Sequence, residues 1–144
     1  METIATLTGR HAQPGRVEWI GLRPARREGL QPVEAAYQQD NGLDGDHARP
    51  GKRALTLIQA EHLPAIAALA RITPVATLAS PAPLAPGRLR RNLVVAGINL
   101  SALRGRQVRI GEALVEFTTI CAPCSRMEEE FGPGGYNAVR GHGG

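Results

Sequence analysis

Aromatic residues are scarce in this chain: two Tyr, two Phe and one Trp among 144 residues, 3% of the whole. Nucleic-acid surfaces that work by base stacking need more, so nucleic acid is not an expected partner. Lysine is rarer still, because Lys52 alone stands beside arginine in a set of 17 basic residues. No window reaches the ~18 consecutive apolar residues of a membrane span. Residues 1–16 lack the basic and then apolar pattern of a secretion leader, so a cytoplasmic domain without a membrane partner is expected. Two cysteines, Cys121 and Cys124, exclude a disulfide framework as the source of stability. Glycine-rich nucleotide loops, the serine-hydrolase elbow and the zinc-protease helix motif are all missing, which leaves those enzyme classes without support.

What is present describes one globular domain over residues 1–144. Hydrophobic residues make up 42% and charged residues 21%, enough for a core of its own. The net charge is +4. The arginine excess accompanies abundant Ala, Gly and Pro, which a GC-rich coding bias explains more simply than selection for anionic partners.

Patterning predicts a β-rich α+β domain with one clear helix. Thr3–Leu7 and Val17–Gly21 read as a first strand pair, Pro32–Tyr37 as a third strand and Ala54–Ile58 as a fourth. Residues 41–51 are too rich in Gly, Asp and Pro for regular structure. Glu61–Arg71 carries apolar residues at helical spacing, with Pro64 tolerable in the first turn. Four prolines between Thr73 and Gly87 mark an irregular connection. Leu89–Val95 reads as a strand, and Gln107–Ile110 with Leu114–Ile120 as a β-hairpin about Gly111. Ser125–Phe131 reads as a short helix, and the six glycines of residues 132–144 as an irregular end.

The sharpest chemical signal is Cys121-Ala122-Pro123-Cys124, placed after a β-branched stretch and before a helix start, with Arg126 adding positive charge. A thiolate there could attack, carry sulfur, or bind a soft or redox-active metal. A four-ligand zinc site lacks a second thiol pair; only His47 and His142 could complete it. The thioredoxin-like alternative lacks a following βαβ unit. The plainest alternative is a pair of small apolar residues packed at a strand end. A second constellation is Arg88-Leu89-Arg90-Arg91-Asn92. In a strand Arg90 and Asn92 share a face, offering a cationic fork and an amide to a phosphate and a ring edge. His47 with Lys52 and Arg53 forms a third polar cluster.

Taken in order, several blocks resemble the MOSC domain, the C-terminal domain of molybdenum-cofactor sulfurases, in its small stand-alone bacterial form. They are Gly42–His47, Leu55–Glu61, Arg90–Leu100, Gly105–Glu116, Cys121–Cys124 and Gly134–Gly143, so the likeness covers residues 40–144. It implies a β-barrel-like domain with one or two helices that binds the pterin-based molybdenum cofactor. Members usually continue with another strand or two after the glycine-rich segment, so a barrel short of its last strands, with an edge left for another chain to cover, is expected.

By the same resemblance Cys124 is the functional cysteine, a molybdenum ligand in reductase members or a persulfide carrier in sulfurase-like ones. Arg90 and Asn92 match the pattern that holds the cofactor, with Arg91, His47 and Lys52 as further contacts. The implied activity is reduction of N-hydroxylated small molecules, fed by an electron-donor protein. The alternatives are sulfur transfer from a donor protein and a truncated, non-catalytic binding domain. Pyridoxal phosphate is not expected, because Lys52 is the one lysine able to form a Schiff base.

Overall fold

The computed structural model describes residues 1–25, 28–47, 51, 53–72 and 84–144. At its centre is strand β6, Leu93–Ala96, whose four residues are all buried. A run of Leu-Val-Val-Ala without polar alternation suits a strand covered on both faces. Its neighbours are β1 (Arg16–Leu22), antiparallel to it, and β5 (Leu57–Gln59), parallel to it. Strand β2 (Gln31–Val33) pairs with the far side of β1, for the order β2-β1-β6-β5. A bulge between Val17 and Trp19 interrupts the β1–β6 register. Trp19 then folds over Gly21, where a Cβ would stand 2.1 Å from the indole, so only glycine leaves room for the ring.

The alternation along β5 and β6 divides the core. Ile58 and Val94 face one side, together with Leu63, Ile66, Leu84, Leu89, Met127 and Val139. Leu93 and Val95 face the other, with Leu43 and half-buried Ile20, Leu22 and Leu57. Helix α2 (His62–Leu69) covers the first side with Leu63, Ile66 and Ala67, and Pro64 lies in its first turn as predicted. Helices α3 (Ser125–Phe131) and α4 (Gly135–Val139) reach the same cluster through Met127 and Val139. Two small antiparallel pairs complete the architecture: β3 (Gln38–Gln39) with β4 (Gly42–Leu43), and β7 (Gln107–Ile110) with β8 (Ala113–Glu116).

The domain is therefore α+β, as read from sequence, but several expectations change: residues 41–51 contain β4, and of the expected strand Pro32–Tyr37 only Pro32 and Val33 lie in β2. Thr3–Leu7 is not a strand: Ile4–Thr8 forms helix α1, with the Thr3 hydroxyl accepting a hydrogen bond from the Thr6 N–H at 3.2 Å. A Ser/Thr cap is a local interaction, and the helix buries no residue, so nothing in the tertiary structure recruits it to the sheet. The glycine-rich end is not irregular throughout, since it contains α4. Among the described residues there are four α-helices and no closed barrel; the strands make one open sheet and two small ribbons.

Candidate functional site

The expected strand through Arg88–Asn92 is replaced by a 3-10 turn, Pro86–Leu89, that ends at Arg90 in the left-handed region (φ 59°, ψ 30°). Proline at the start of the turn and the Arg90 N–H, bonded to the Gly87 carbonyl at 3.1 Å, close it tightly. The three polar residues therefore diverge instead of sharing a face. Arg90 is half-buried and its Nη1 donates to the Glu28 carbonyl. Its Nη2 is buried with no acceptor among the described residues.

Arg91 turns into the protein, with 8% of its surface exposed. Its Nε donates to the Gly143 carbonyl at 2.7 Å, Nη1 to Leu89 at 3.1 Å and Nη2 to Cys121 at 3.4 Å. No carboxylate pairs with it among the described residues. Burial pulls the guanidinium below its ordinary value, and the sulfurs of Cys121 and Cys124 oppose that pull. This buried cation, with no acid partner among the described residues and held by three carbonyls beside two thiols, ties the 3-10 turn, the cysteine segment and the C-terminal glycines together.

The cysteines are placed accordingly. Cys121 is half-buried, and its N–H donates to the Gly144 carbonyl at 2.9 Å. Cys124 is exposed, in extended backbone directly before α3, and its carbonyl accepts the Met127 N–H at 2.9 Å. Helix α3 is fixed by Met127 in the core and by Arg88, whose Nε donates to Glu130 at 2.7 Å while its guanidinium stacks 4.8 Å above Phe131. Both anchors hold the start of α3, with the exposed Cys124 directly before it, and place Arg126 in one cleft with Arg90.

Asn92 has no exposed surface. Its Nδ2 donates to the Gly21 carbonyl at 3.0 Å and to Asp46 Oδ1 at 3.1 Å. Its Oδ1 accepts from Arg23 Nη2 at 3.1 Å, Thr56 N at 3.1 Å and Thr56 Oγ1 at 3.2 Å. Each donor and acceptor of the amide is engaged inside the protein. Asp46 is sealed in the same network, with Arg23 Nη2 on its Oδ2 at 2.8 Å and the Arg23 Nε and N–H on its Oδ1. Burial raises the Asp46 carboxyl, but the Arg23 bonds and charge, with Asn92, outweigh it and hold the group below the usual carboxylate range.

Sequence reasoning missed Arg23, since an isolated arginine at the end of a strand carries no motif. His47 is exposed, with its Nδ1 and its N–H both on the Arg23 carbonyl, at 2.9 Å and 2.8 Å. It therefore belongs to the Asp46 loop. Lys52 lies outside the described residues, as do three of the four prolines between Thr73 and Gly87. No helix among the described residues is long and apolar enough to cross a membrane.

Among the described residues the candidate groups are thus an exposed thiol, a buried guanidinium without a carboxylate partner and a second guanidinium with an unmet donor. The family model for the MOSC domain matches residues 42–142, and the chain belongs to this molybdenum-cofactor-sulfurase-like family, which is associated with the molybdenum cofactor. Among solved structures it is similar to the YUAD protein from Bacillus subtilis, with a TM-score of 0.65 and 15% identity. The likeness covers 94% of this chain and 87% of that one, and at this identity it concerns the fold. Comparison with curated proteins finds no match.

Proposed function

We infer that the chain binds the pterin-based molybdenum cofactor of its family and serves reduction of N-hydroxylated small molecules in the cytoplasm. The single observation that carries this reading is the exposed Cys124, in a segment held by the buried Arg91. The donor set fits. Among the described residues no three His, Cys, Asp or Glu side chains converge on a point, so an ion at Cys124 must bring most of its ligands with it. A metal carried by an organic cofactor does so, and a thiolate is a suitable soft ligand from the protein. When bound, the cofactor supplies the redox chemistry, and the chain supplies position and charge.

In this reading Cys124 ligates the metal and Arg90 holds the cofactor's phosphate. Arg91 is a positioning residue: it fixes the Cys121 carbonyl and the Gly143 carbonyl, and so the path of the segment that presents Cys124. Asn92 also acts indirectly, by locking Asp46 and Arg23 behind the site. Electrons come from a partner protein.

The test is metal and pterin analysis of protein co-expressed with the cofactor pathway, wild type beside Cys124→Ser and Cys121→Ser. Molybdenum retained in wild type and Cys121→Ser but depleted in Cys124→Ser is the expected pattern. Wild-type protein free of both molybdenum and pterin refutes it. A second reading, Cys124 as a persulfide carrier, is favoured by the exposure that opens this thiol to a donor protein. It requires Cys124 to gain the mass of one sulfur atom on incubation with a cysteine desulfurase.

A further inference from the structure

Two of the four histidines meet although they lie far apart in sequence. His62 is the first residue of α2, and His142 follows shortly after α4. Their ring centroids stand 5.2 Å apart, with the planes at 89°. Both residues are half-buried. Neither imidazole makes a hydrogen bond among the described residues, and the His142 Nδ1 is buried without a partner. A cleft of about 380 Å³ borders His62 together with Gln59, Glu61 and Asn99, which connects the pair to solvent.

The backbone that carries the two rings is fixed on both sides. Leu63, 4% exposed, anchors the first turn of α2. The His142 N–H donates to the carbonyl of the fully buried Val139 at 2.8 Å. The next two carbonyls, of Gly143 and Gly144, accept from Arg91 Nε at 2.7 Å and from the Cys121 N–H at 2.9 Å. Simple packing explains the pair poorly, because a buried ring nitrogen left unmet carries a desolvation cost that two apolar side chains would avoid. The spacing suits a shared ion instead. A metal bonded to a ring nitrogen lies about 3.2 Å from that ring's centroid, so two rings at a tetrahedral angle stand roughly 5.2 Å apart. Such an ion lies where the two ring planes intersect, so perpendicular planes are no obstacle. The backbone supplies the separation, and ring rotation supplies the aim. The positive end of α2 disfavours a cation, and the Glu61 carboxylate one residue earlier offsets it.

We propose that His62 and His142 form a site for a borderline divalent transition-metal ion such as Zn²⁺ or Co²⁺, with solvent in the remaining positions. No third His, Cys, Asp or Glu side chain joins them among the described residues, so the site is open. Imidazole selects such ions over Mg²⁺ and Ca²⁺, which prefer oxygen ligands. The bound ion staples α2 to the glycine segment whose carbonyls hold Arg91 and Cys121. It is separate from any metal at Cys124 and independent of the cofactor.

Reduced, cofactor-free protein is titrated with Co²⁺, whose visible bands report geometry and whose sulfur charge-transfer band reports a bound thiolate, and with Zn²⁺ by calorimetry. Cys124→Ser is expected to keep tetrahedral Co²⁺ bands, and His62→Gln and His142→Gln to bind Zn²⁺ at least about tenfold more weakly. Saturating Zn²⁺ raises the unfolding temperature of wild type and not of the histidine variants, and Mg²⁺ does nothing. Metal-free circular-dichroism melts establish that the variants fold. A readout on wild type alone guards against a variant that does not: Co²⁺ broadens the ring signals of two of the four histidines in proton NMR. Absence of uptake, uptake that both histidine variants leave unchanged, uptake that Cys124→Ser abolishes, or broadening of all four imidazoles alike overturns the proposal.

Discussion

Asn92→Ala separates two roles that an Arg-x-Asn pattern leaves confounded. If Asn92 touched a ligand, its truncation would weaken binding and spare the fold. The geometry requires the opposite. Removing the amide strands the Thr56 N–H, which gives up an acceptor at 3.1 Å, and the Gly21 carbonyl, which gives up a donor at 3.0 Å, both in the interior. Each unmet buried group costs about 1–3 kcal/mol. Arg23 and Asp46 keep one another, so their contribution to the loss is small. Adding the void left by the side chain, the total is about 3–5 kcal/mol, a large part of the roughly 5–15 kcal/mol that holds a domain together. With a urea slope of about 1.5 kcal/mol/M, the unfolding midpoint falls by about 2–3 M. The assay is equilibrium urea denaturation followed by far-ultraviolet circular dichroism, with the slope fitted for both proteins. A midpoint within 0.5 M of wild type (about 0.8 kcal/mol at that slope) would refute the assignment of Asn92 to the interior network.

Met127 is 3% exposed and anchors α3 in the core. Met127→Ala is expected to cost about 2–4 kcal/mol and to speed amide exchange over residues 125–131; unchanged exchange there would show that α3 is held by its surface contacts alone. Asp46 and Glu128 sit below their ordinary values, Glu128 because the Tyr136 N–H donates to it at 3.0 Å, with the Gly134 and Gly135 N–H groups adding to the effect. A depressed carboxyl stabilises the fold above its unfolded value and loses that contribution as pH falls through the folded one. The urea midpoint should therefore stay level from neutrality to about pH 5 and drop below about pH 4. Asp46→Asn should lower the midpoint at pH 7 and flatten the acid limb, and a limb as steep as wild type would exclude Asp46 as a source of the drop.

Patterns confined to a few neighbouring residues were legible in the sequence. The β7–β8 hairpin follows from a glycine turn between short apolar runs, α2 from apolar spacing with proline in its first turn, and α3 from a polar start after Cys124. The pair Cys121 and Cys124 stood out because two thiols at close spacing have few structural explanations in a chain this poor in cysteine, and the choice of Cys124 between them came from the family resemblance. Order and spacing of the matching blocks also carried the family, since a family is a one-dimensional pattern before it is a fold.

Only the tertiary structure decided which polar side chains face the site and which hold it from behind. Arg90, Arg91 and Asn92 are consecutive, yet one lines the surface cleft, one is buried beside the cysteines, and one is sealed between Gly21, Thr56 and Asp46. The division follows from a single left-handed residue after a 3-10 turn, which changes the direction of every side chain around it. Position 135, the start of α4 in the glycine-rich end, likewise requires glycine because α3 passes so close that a Cβ there would stand 2.5 Å from the Met127 carbonyl oxygen. Periodicity and composition act along the chain, whereas burial, close approach and the pairing of charges depend on segments far apart in sequence, 71 positions in the case of Gly21 and Asn92.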